Sequence, residues 1–380
     1  MSEQTTDRLI SLDIFRGLTI AMMILVNNPG TWSSIYPPLE HAKWNGCTPT
    51  DLVFPFFLFI VGVSITISLT KRKERGDNQN KLILQIFRRG IIIFLIGFLL
   101  PVFPFINFGT GSLVDFSNIR ILGVLQRIGI VYIIASFIFL KANIKWQVFI
   151  GAGLLLIYWF LMTIIPVPGV GYANLQPGTN LAAYIDQMFL SGHMWRETKI
   201  WDPEGILSTL PAISTALCGI LLGHWLKAKT DSVTRTVWIF AAGNAAMAIG
   251  WIWALVFPLN KNLWTSSYVI FTAGLACQFF GMCYWLVDVK GYKRWTKPFV
   301  VYGMNAIAVY ILSEFVAKLF HQITFTFGGE KFSIQKAIFT SVFLPILSPV
   351  NASLAYAVSY ILVWLGVMWI FYKKGIFIKV

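Results

Sequence analysis

The chain has 380 residues, of which 57% are hydrophobic and only 12% are charged, and its mean hydropathy is +0.70. A soluble domain carries about twice that charged fraction, so the composition excludes a soluble globular protein and indicates an integral membrane protein. Lys and Arg outnumber Asp and Glu by 30 to 16. In a membrane protein such an excess mostly sets orientation, and it gives no support to nucleic-acid binding.

A helix needs about 20 residues to cross the hydrocarbon core of a membrane. Ten apolar stretches reach, or nearly reach, this length. In chain order they are 12–28, 52–70, 90–106, 121–140, 146–165, 206–226, 237–257, 267–287, 299–320 and 354–372. An eleventh stretch, 337–347, is shorter and ends in Ser348-Pro349, which predicts a re-entrant or interfacial helix. We find no linker and no internal repeat. The sequence therefore predicts one all-α transmembrane domain over residues 1–380, a polytopic bundle of about ten helices plus that short one.

The basic residues predict the orientation of these spans. The loop between spans two and three, KRKERGDNQNKLILQIFRRG, holds seven Lys and Arg, so we place it in the cytoplasm together with both termini. On that map 20 basic residues, Arg8 and Lys379 among them, face the cytoplasm, and 7 face outward. The polar N-terminal segment lacks the pattern of a cleavable signal peptide. The four cysteines lack metal-ligand spacing, so we expect neither a metal site nor a disulfide.

A polar cluster directly precedes the second span, in the stretch EHAKWNGCTPTDLVFPFF at 40–57. Thr48, Pro49 and Asp51 have the spacing of a helix N-cap, a first helical proline and a capping-box acid, and capping alone accounts for Asp51. His41 lies seven residues before that cap, on the predicted outer side. Histidine titrates near neutrality and can take a proton from an amine or an alcohol, so His41 is a candidate general base, although a solvated loop histidine is the simpler interpretation.

Two asparagines end the first span on the same outer face. Asn27 and Asn28 stand in LVNNPG, where capping of the helix before Pro29 is the simpler explanation. An asparagine amide can also donate to a developing oxyanion. A base and an oxyanion donor on one face are the minimum equipment for acyl transfer.

Ionisable residues within the spans are costly and therefore candidates for function. Asp13 and Arg16 are three residues apart in span one and either pair with each other or serve a ligand. In span four, Arg120 and Arg127 are seven apart, hence on one predicted helix face, with Gln126 beside the second. Such arginines need a carboxylate or a phosphate, and pairing of Arg127 with Glu314 of span nine is the alternative to a ligand role.

The predicted outer loops add further polar residues. Asp202 and Glu204 directly precede span six, where acids are favoured at a helix N-terminus, yet they also face the side on which a cationic amino sugar could be held. The next long outer turn reads PLNKNLWTSSYV and contains Asn262 and Trp264. An aromatic at a membrane interface is ordinary, so Trp264 alone proves little.

Several of these stretches together resemble the transmembrane N-acetyltransferases related to heparan-alpha-glucosaminide N-acetyltransferase. The stretches, in order, are LDIFRGLTIAMMILVNNPG, HAKWNGCTPTDLVFPFFLFIVGVS, IRILGVLQRIG, WDPEGILSTL, PLNKNLWTSSYV and YGMNAIAVY. The resemblance covers nearly the whole chain and implies a compact homologue of bacterial type in the inner (plasma) membrane. It also implies transfer of an acetyl group from cytosolic acetyl-CoA to the amine of a glucosamine-type sugar on the outer, periplasmic side.

The resemblance assigns roles to residues. The active histidine corresponds to His41 and the active asparagine to Asn27. On the acceptor side we expect substrate contacts from Trp44, Asn45, Asp51, Asp202, Glu204, Asn262 and Trp264. On the donor side we expect coenzyme A contacts from Arg16, Arg120, Gln126, Arg127 and Asn305. The implied partners are the amino-sugar acceptor, coenzyme A and the lipid bilayer, with neither metal nor nucleic acid, and a homodimer is left open.

Two alternatives stay open at this point. An O-acetyltransferase of an envelope polysaccharide would use His41 to activate a hydroxyl group. A sugar transporter would show inverted repeats and broken helices at the midplane, and we see no repeat. The sequence does not decide whether His41 carries the acetyl group or acts only as a base.

Overall fold

The computed structural model describes residues 9–106, 108, 111–327 and 330–378. The helices are α1 (Ile10–Asn27), α2 (Val53–Glu74), α3 (Gln79–Leu99), α4 (Val124–Lys141), α5 (Ile144–Ile164), α6 (Leu181–Leu190), α7 (Thr209–Lys227), α8 (Ser232–Trp253), α9 (Ser266–Tyr284), α10 (Lys297–Met304), α11 (Ala306–Gln322), α12 (Ile334–Ile338) and α13 (Pro349–Lys373). A short antiparallel hairpin of β1 (Thr324–Phe327) and β2 (Glu330–Ser333) follows α11.

The predicted fold class, a polytopic all-α membrane protein, is confirmed. Within the described residues nine helices are long and apolar enough to cross a membrane, and α10 with α11 makes a tenth if the bent pair is one span. The residues counted for orientation include Arg8 and Lys379, which lie outside the described residues.

The ninth predicted span is not a continuous helix. α10 and α11 meet at Asn305 with a bend of 81°, and this residue belongs to neither helical run. The eleventh stretch is helical only in short pieces, α12 and a single π turn at Phe339–Phe343. It is too short to cross a membrane, and it packs through Phe339 against Ala352 and Tyr356 of α13.

Glycines bring the central helices into direct backbone contact. A Cβ added at Gly62 would come within 1.9 Å of the Ala216 carbonyl, and one added at Gly219 within 2.0 Å of the Phe59 carbonyl, so α2 and α7 touch along both glycines. In the same way, a Cβ added at Gly303 of α10 would lie 2.0 Å from the carbonyl of Asp13 in α1. Small residues at membrane helix interfaces permit this close approach. The contacts fix α1 and α2, which carry the site, at the centre of the bundle.

We name the two ends of the bundle by their residues. The histidine side is the end at which α1 ends and α2 begins, with Asn27 and His41. The basic side is the opposite end, at which α2 ends and α3 begins, with Arg72 and Arg89.

Candidate active site

A cavity of about 60 Å³ opens on the histidine side, among α1, α2, α4 and the loops around them. Its lining residues are Met23, Val26, Asn27, His41, Thr50, Val53, Phe54, Val124, Glu204, Lys261 and Tyr310. We call it the histidine pocket. Two residues of the predicted catalytic pair, His41 and Asn27, therefore line one cavity although 13 intervening positions separate them in the chain.

His41 is oriented by a buried carboxylate. Its Nδ1 lies 2.7 Å from Oδ1 of Asp51, while Oδ2 of Asp51 accepts from the Thr48 amide at 2.9 Å and the Ala42 amide at 3.1 Å. The capping box of Thr48 and Asp51 is present as predicted. Because a carboxylate only accepts hydrogen bonds, the neutral imidazole carries its proton on Nδ1, and Nε2 keeps its lone pair. The ring is 48% exposed, so Nε2 can act as a base or a nucleophile towards a ligand in the pocket.

Lys261 approaches the same ring from the turn before α9. Its Nζ lies 3.1 Å from Nε2 and 3.3 Å from Nδ1 of His41. The two ring nitrogens flank Cε1, so a point nearly equidistant from both would collide with Cε1 if it lay in the ring plane. The ammonium group therefore stands over the ring face and does not occupy the in-plane direction of the Nε2 lone pair.

Asn27 is the last residue of α1, and it is held by an acid from α11. Its Nδ2 donates to Oε1 of Glu314 at 3.2 Å. The capping role falls to its neighbour Asn28, whose Nδ2 donates to the Ile24 carbonyl at 2.9 Å. Because Asn28 supplies the cap, the Asn27 side chain faces the pocket, where one of its two amide N–H groups is engaged by Glu314. The pairing of Glu314 with Arg127, the alternative to a ligand role for Arg127, is not formed, because Glu314 contacts Asn27.

The acidic residues before α7 form a salt bridge with Arg120. Nε of Arg120 lies 2.8 Å from Oδ2 of Asp202 and Nη2 lies 2.5 Å from Oδ1, and Nη2 also contacts Glu204. The prediction that Arg120 shares a helix face with Arg127 is wrong, because α4 begins only at Val124. Asp202 and Glu204 likewise precede the first helical residue of α7 by several positions, because they are used in this bridge rather than at the helix N-terminus.

Glu204 reaches from this bridge into the histidine pocket. Although burial opposes it, the guanidinium groups of Arg120 and Arg127 hold the pKa of Glu204 below its ordinary value. The carboxylate is therefore charged at neutral pH and presents a negative group beside His41 and Lys261.

Arg127 is fully buried and supports the loop that carries Glu204. Its Nη2 donates to the Gly205 carbonyl at 3.0 Å and to the Ser208 hydroxyl, and its guanidinium lies 5.3 Å from the ring of Trp264. Trp264 is itself fully buried and donates to the Thr215 hydroxyl at 3.1 Å. Both side chains therefore have contacts within the protein. The assignment of Arg127 to the coenzyme A site and of Trp264 to the acceptor site stays a prediction.

The remaining predicted acceptor residues lie in the loops above the pocket. Nε1 of Trp44 donates to the Leu175 carbonyl at 2.9 Å, and its ring packs edge-on against Trp201. Oδ1 of Asn45 accepts from Asn260 at 3.2 Å, and Asn262 is half-buried in the Lys261 turn. These contacts join the His41 loop to the long loop before α7.

Two predicted donor residues have contacts elsewhere in the fold. Gln126 is buried against Gly97 of α3, where an added Cβ would lie 2.5 Å from its Oε1. Asn305, at the break between α10 and α11, donates to the Ile376 carbonyl at 3.1 Å and accepts from the Ile378 amide at 2.9 Å. It thereby anchors the C-terminal tail.

A second and larger cavity, of about 500 Å³, opens on the basic side. Arg16 lines it and donates from Nη2 to Ser64 Oγ at 2.7 Å, and its role in donor binding stays a prediction. Sequence reasoning missed the other basic side chains in its wall, Lys71, Arg72 and Arg89. Their runs, KRKERG and FRRG, predict the orientation of the spans but carry no local signal of a ligand site. We call this the basic cavity.

The two cavities lie end to end along the same helices. On α2, Phe54 lines the histidine pocket and Phe57 lines the basic cavity, and on α4 the corresponding residues are Val124 and Ile128. Three or four helical residues advance about 5 Å. The lining residues at which the two cavities approach each other are therefore about one helical turn apart on both helices.

Comparison with known proteins agrees with the resemblance seen in the sequence. The family model for the catalytic region of heparan-alpha-glucosaminide N-acetyltransferase matches residues 8–252. The mouse heparan-alpha-glucosaminide N-acetyltransferase is 31% identical over 315 residues, which are 70% of this chain and 47% of that protein. The human protein is 33% identical over 317 residues, or 69% and 46% respectively. The alignments thus span about half the length of these curated relatives. The chain belongs to this family.

Proposed function

We propose that this family member is a transmembrane acetyltransferase that moves an acetyl group from acetyl-CoA, bound in the basic cavity, to the amine of a glucosamine-type sugar at the histidine pocket. The end-to-end arrangement of the two cavities carries the proposal, because a donor on one side and an acceptor on the other can meet across about one helical turn. The family described above supports the reaction type.

The basic cavity suits the donor. Coenzyme A carries its negative charge on phosphates, and arginine binds phosphate through paired N–H groups. Arg16, Arg72 and Arg89 offer such groups in one wall. With the phosphates held there, the pantetheine arm extends along α2 and α4 and brings the thioester to His41.

The histidine pocket suits the transfer. A thioester is already activated, so the protein needs only to align the amine, take up its proton and stabilise an oxyanion. His41, with Nε2 free, provides the base or the nucleophile, and Asn27 provides the oxyanion donor. Glu204 offers a negative charge that attracts an amino sugar arriving as an ammonium ion.

We infer that the basic side faces the cytoplasm, and the excess of basic residues on the loop between α2 and α3 supports this orientation. The acceptor then binds from the periplasm of a bacterial inner membrane, with both termini in the cytoplasm. Acetyl-CoA is made in the cytoplasm, so this orientation places the cationic cavity beside its supply.

The proposal is tested with purified protein in detergent. Incubation with acetyl-CoA should release coenzyme A thiol faster when glucosamine is added, and the acetylated product should resist mild alkali because it is an amide. An alkali-labile product would indicate a hydroxyl acceptor. If the protein is folded but releases no thiol and forms no acetylated product, the proposal is contradicted.

Replacing Arg89 with alanine should raise the KM for acetyl-CoA at least about tenfold, since a hydrogen bond to a charged group contributes about 1.5–3 kcal/mol. The kcat should change little, because Arg89 lies far from His41. The adjacent Arg88 is exposed and does not line the cavity, so Arg88→Ala is the matched control. Equal KM values in the two variants would remove Arg89 from the donor site.

A further inference from the structure

Lys261 brings a side-chain cation into direct contact with His41. Its Nζ stands over the imidazole face at 3.1 Å from Nε2, and it lines the histidine pocket with His41 and Glu204. It does not block the in-plane lone pair of Nε2. The group is therefore placed beside the atom that meets the thioester rather than in competition with it.

We propose that Lys261 is a catalytic acid and base of the acetyl transfer: it protonates the sulfur of the departing coenzyme A and then recovers a proton from the acceptor amine. This inference rests on the proposed function. The sulfur is bonded to the carbonyl carbon under attack at His41, so it comes within reach of a group that stands over the same ring.

The protons and electrons balance on either route. If His41 Nε2 attacks the carbonyl, the C–S electron pair goes to sulfur, and sulfur takes a proton from the Nζ ammonium. The acceptor ammonium loses one proton to solvent and attacks the acetyl carbon as a neutral amine; neutral His41 leaves with its Nδ1 proton retained, and Nζ takes the second amine proton. If the amine attacks the thioester directly, sulfur takes a proton from the Nζ ammonium and Nε2 takes the amine proton. The exposed imidazolium then loses this proton to solvent and Nζ regains one from solvent, because an N–H on Nε2 lies in the ring plane and does not point at Nζ. In both cases Lys261 ends as it began.

The charges around Lys261 suit a group that gives and regains a proton. Burial lowers the pKa of Lys261 below its ordinary value, and so does Arg127, while Glu204 and Asp51 oppose that shift. A lysine with a lowered pKa exchanges its proton more readily near neutrality. Arginine has no such capacity, because its guanidinium does not lose a proton in proteins.

The test compares Lys261→Met and Lys261→Arg with the wild-type protein. Both variants should lose at least about a hundredfold in the rate of thiol release and of acceptor acetylation, as expected for removal of an acid–base group. Binding of coenzyme A and the melting temperature should be retained.

Lys43 is exposed in the His41 loop, and Lys43→Met, the matched control, should keep the wild-type rate. A Lys261→Arg variant with near wild-type rate would show that only the positive charge matters, and an active Lys261→Met would show that the side chain is dispensable. Either result overturns the proposal.

Chemical restoration of the amine at position 261 distinguishes loss of the amine from misfolding of the variant. In a variant in which the four natural cysteines are replaced and the wild-type rate is kept, Lys261→Cys should be inactive. Its alkylation with 2-bromoethylamine restores a primary amine of nearly lysine length and should recover the rate, whereas alkylation with iodoacetamide should not. A folded, aminoethylated protein that stays inactive would contradict the role of Lys261. If the wild-type protein itself transfers no acetyl group, the proposed function fails instead.

Discussion

Replacing His41 with alanine is expected to reduce the rate of acetyl transfer at least about a hundredfold, as removal of a positioned general base does. The physical reason is that Nε2 is the free basic atom in the pocket, since Asp51 fixes the proton on Nδ1 at 2.7 Å. The measurement is the steady-state rate of amide formation from acetyl-CoA and glucosamine by the purified variant. Near-normal turnover by folded His41→Ala protein would end this account of the site.

A second variant tests whether the tautomer of His41, and not only the presence of its ring, is needed, and a third serves as its control. Asp51→Asn can turn its amide N–H towards His41, which favours the tautomer with the proton on Nε2, so the rate should fall although the ring remains. His321 is exposed at the end of α11 on the same side of the bundle, and His321→Ala is the control that should keep the wild-type rate.

Replacing Asn27 with alanine is expected to lower kcat by about a hundredfold to a thousandfold, the usual cost of losing one oxyanion donor. The KM for acetyl-CoA should stay nearly unchanged, because the interaction forms in the transition state rather than in the bound substrate. The measurement is kcat and KM over a range of acetyl-CoA concentrations.

Glu314 offers an independent check on Asn27. Its carboxyl group accepts from Nδ2 at 3.2 Å, so Glu314→Gln should weaken the positioning of Asn27 and lower kcat less than loss of Asn27 itself. Asn118 is exposed on the same side, and Asn118→Ala should have no effect. A rise in KM alone, with kcat preserved in Asn27→Ala, would mean that Asn27 binds substrate rather than the oxyanion.

The number and order of the spans follow from the sequence because apolar length is a local property. The break at Asn305 does not, since one asparagine in an apolar stretch looks like any polar interruption. Its hydrogen-bond partners, Ile376 and Ile378, lie more than 70 positions away in the C-terminal tail. The sequence also predicts too early a start for α4, because the contact that holds Arg120 outside the helix is distant in the chain. Arg120 continues the predicted helix, but its partner Asp202 lies 82 positions away.

The site could be predicted in part. His41 and Asp51 are ten residues apart and lie on either side of a recognisable cap, so their nearness follows from local structure. Glu314 and Lys261 reach the site from elements far along the chain, at separations of 287 and 220 residues. No periodicity encodes such contacts. In the sequence, Lys261 is a lysine within PLNKNLW. This motif predicts a polar turn and does not indicate that its lysine reaches His41.

The most direct test of acetyl transfer across the bundle uses sealed lipid vesicles that contain the purified protein. An amino-sugar oligomer that does not cross membranes is trapped inside, and labelled acetyl-CoA is added only outside, so that molecules with the basic side outward are selected. We expect labelled N-acetylated oligomer to accumulate inside the intact vesicles and to be absent with the His41→Ala protein. Labelled product that forms only when donor and acceptor share one side of the membrane would contradict the account.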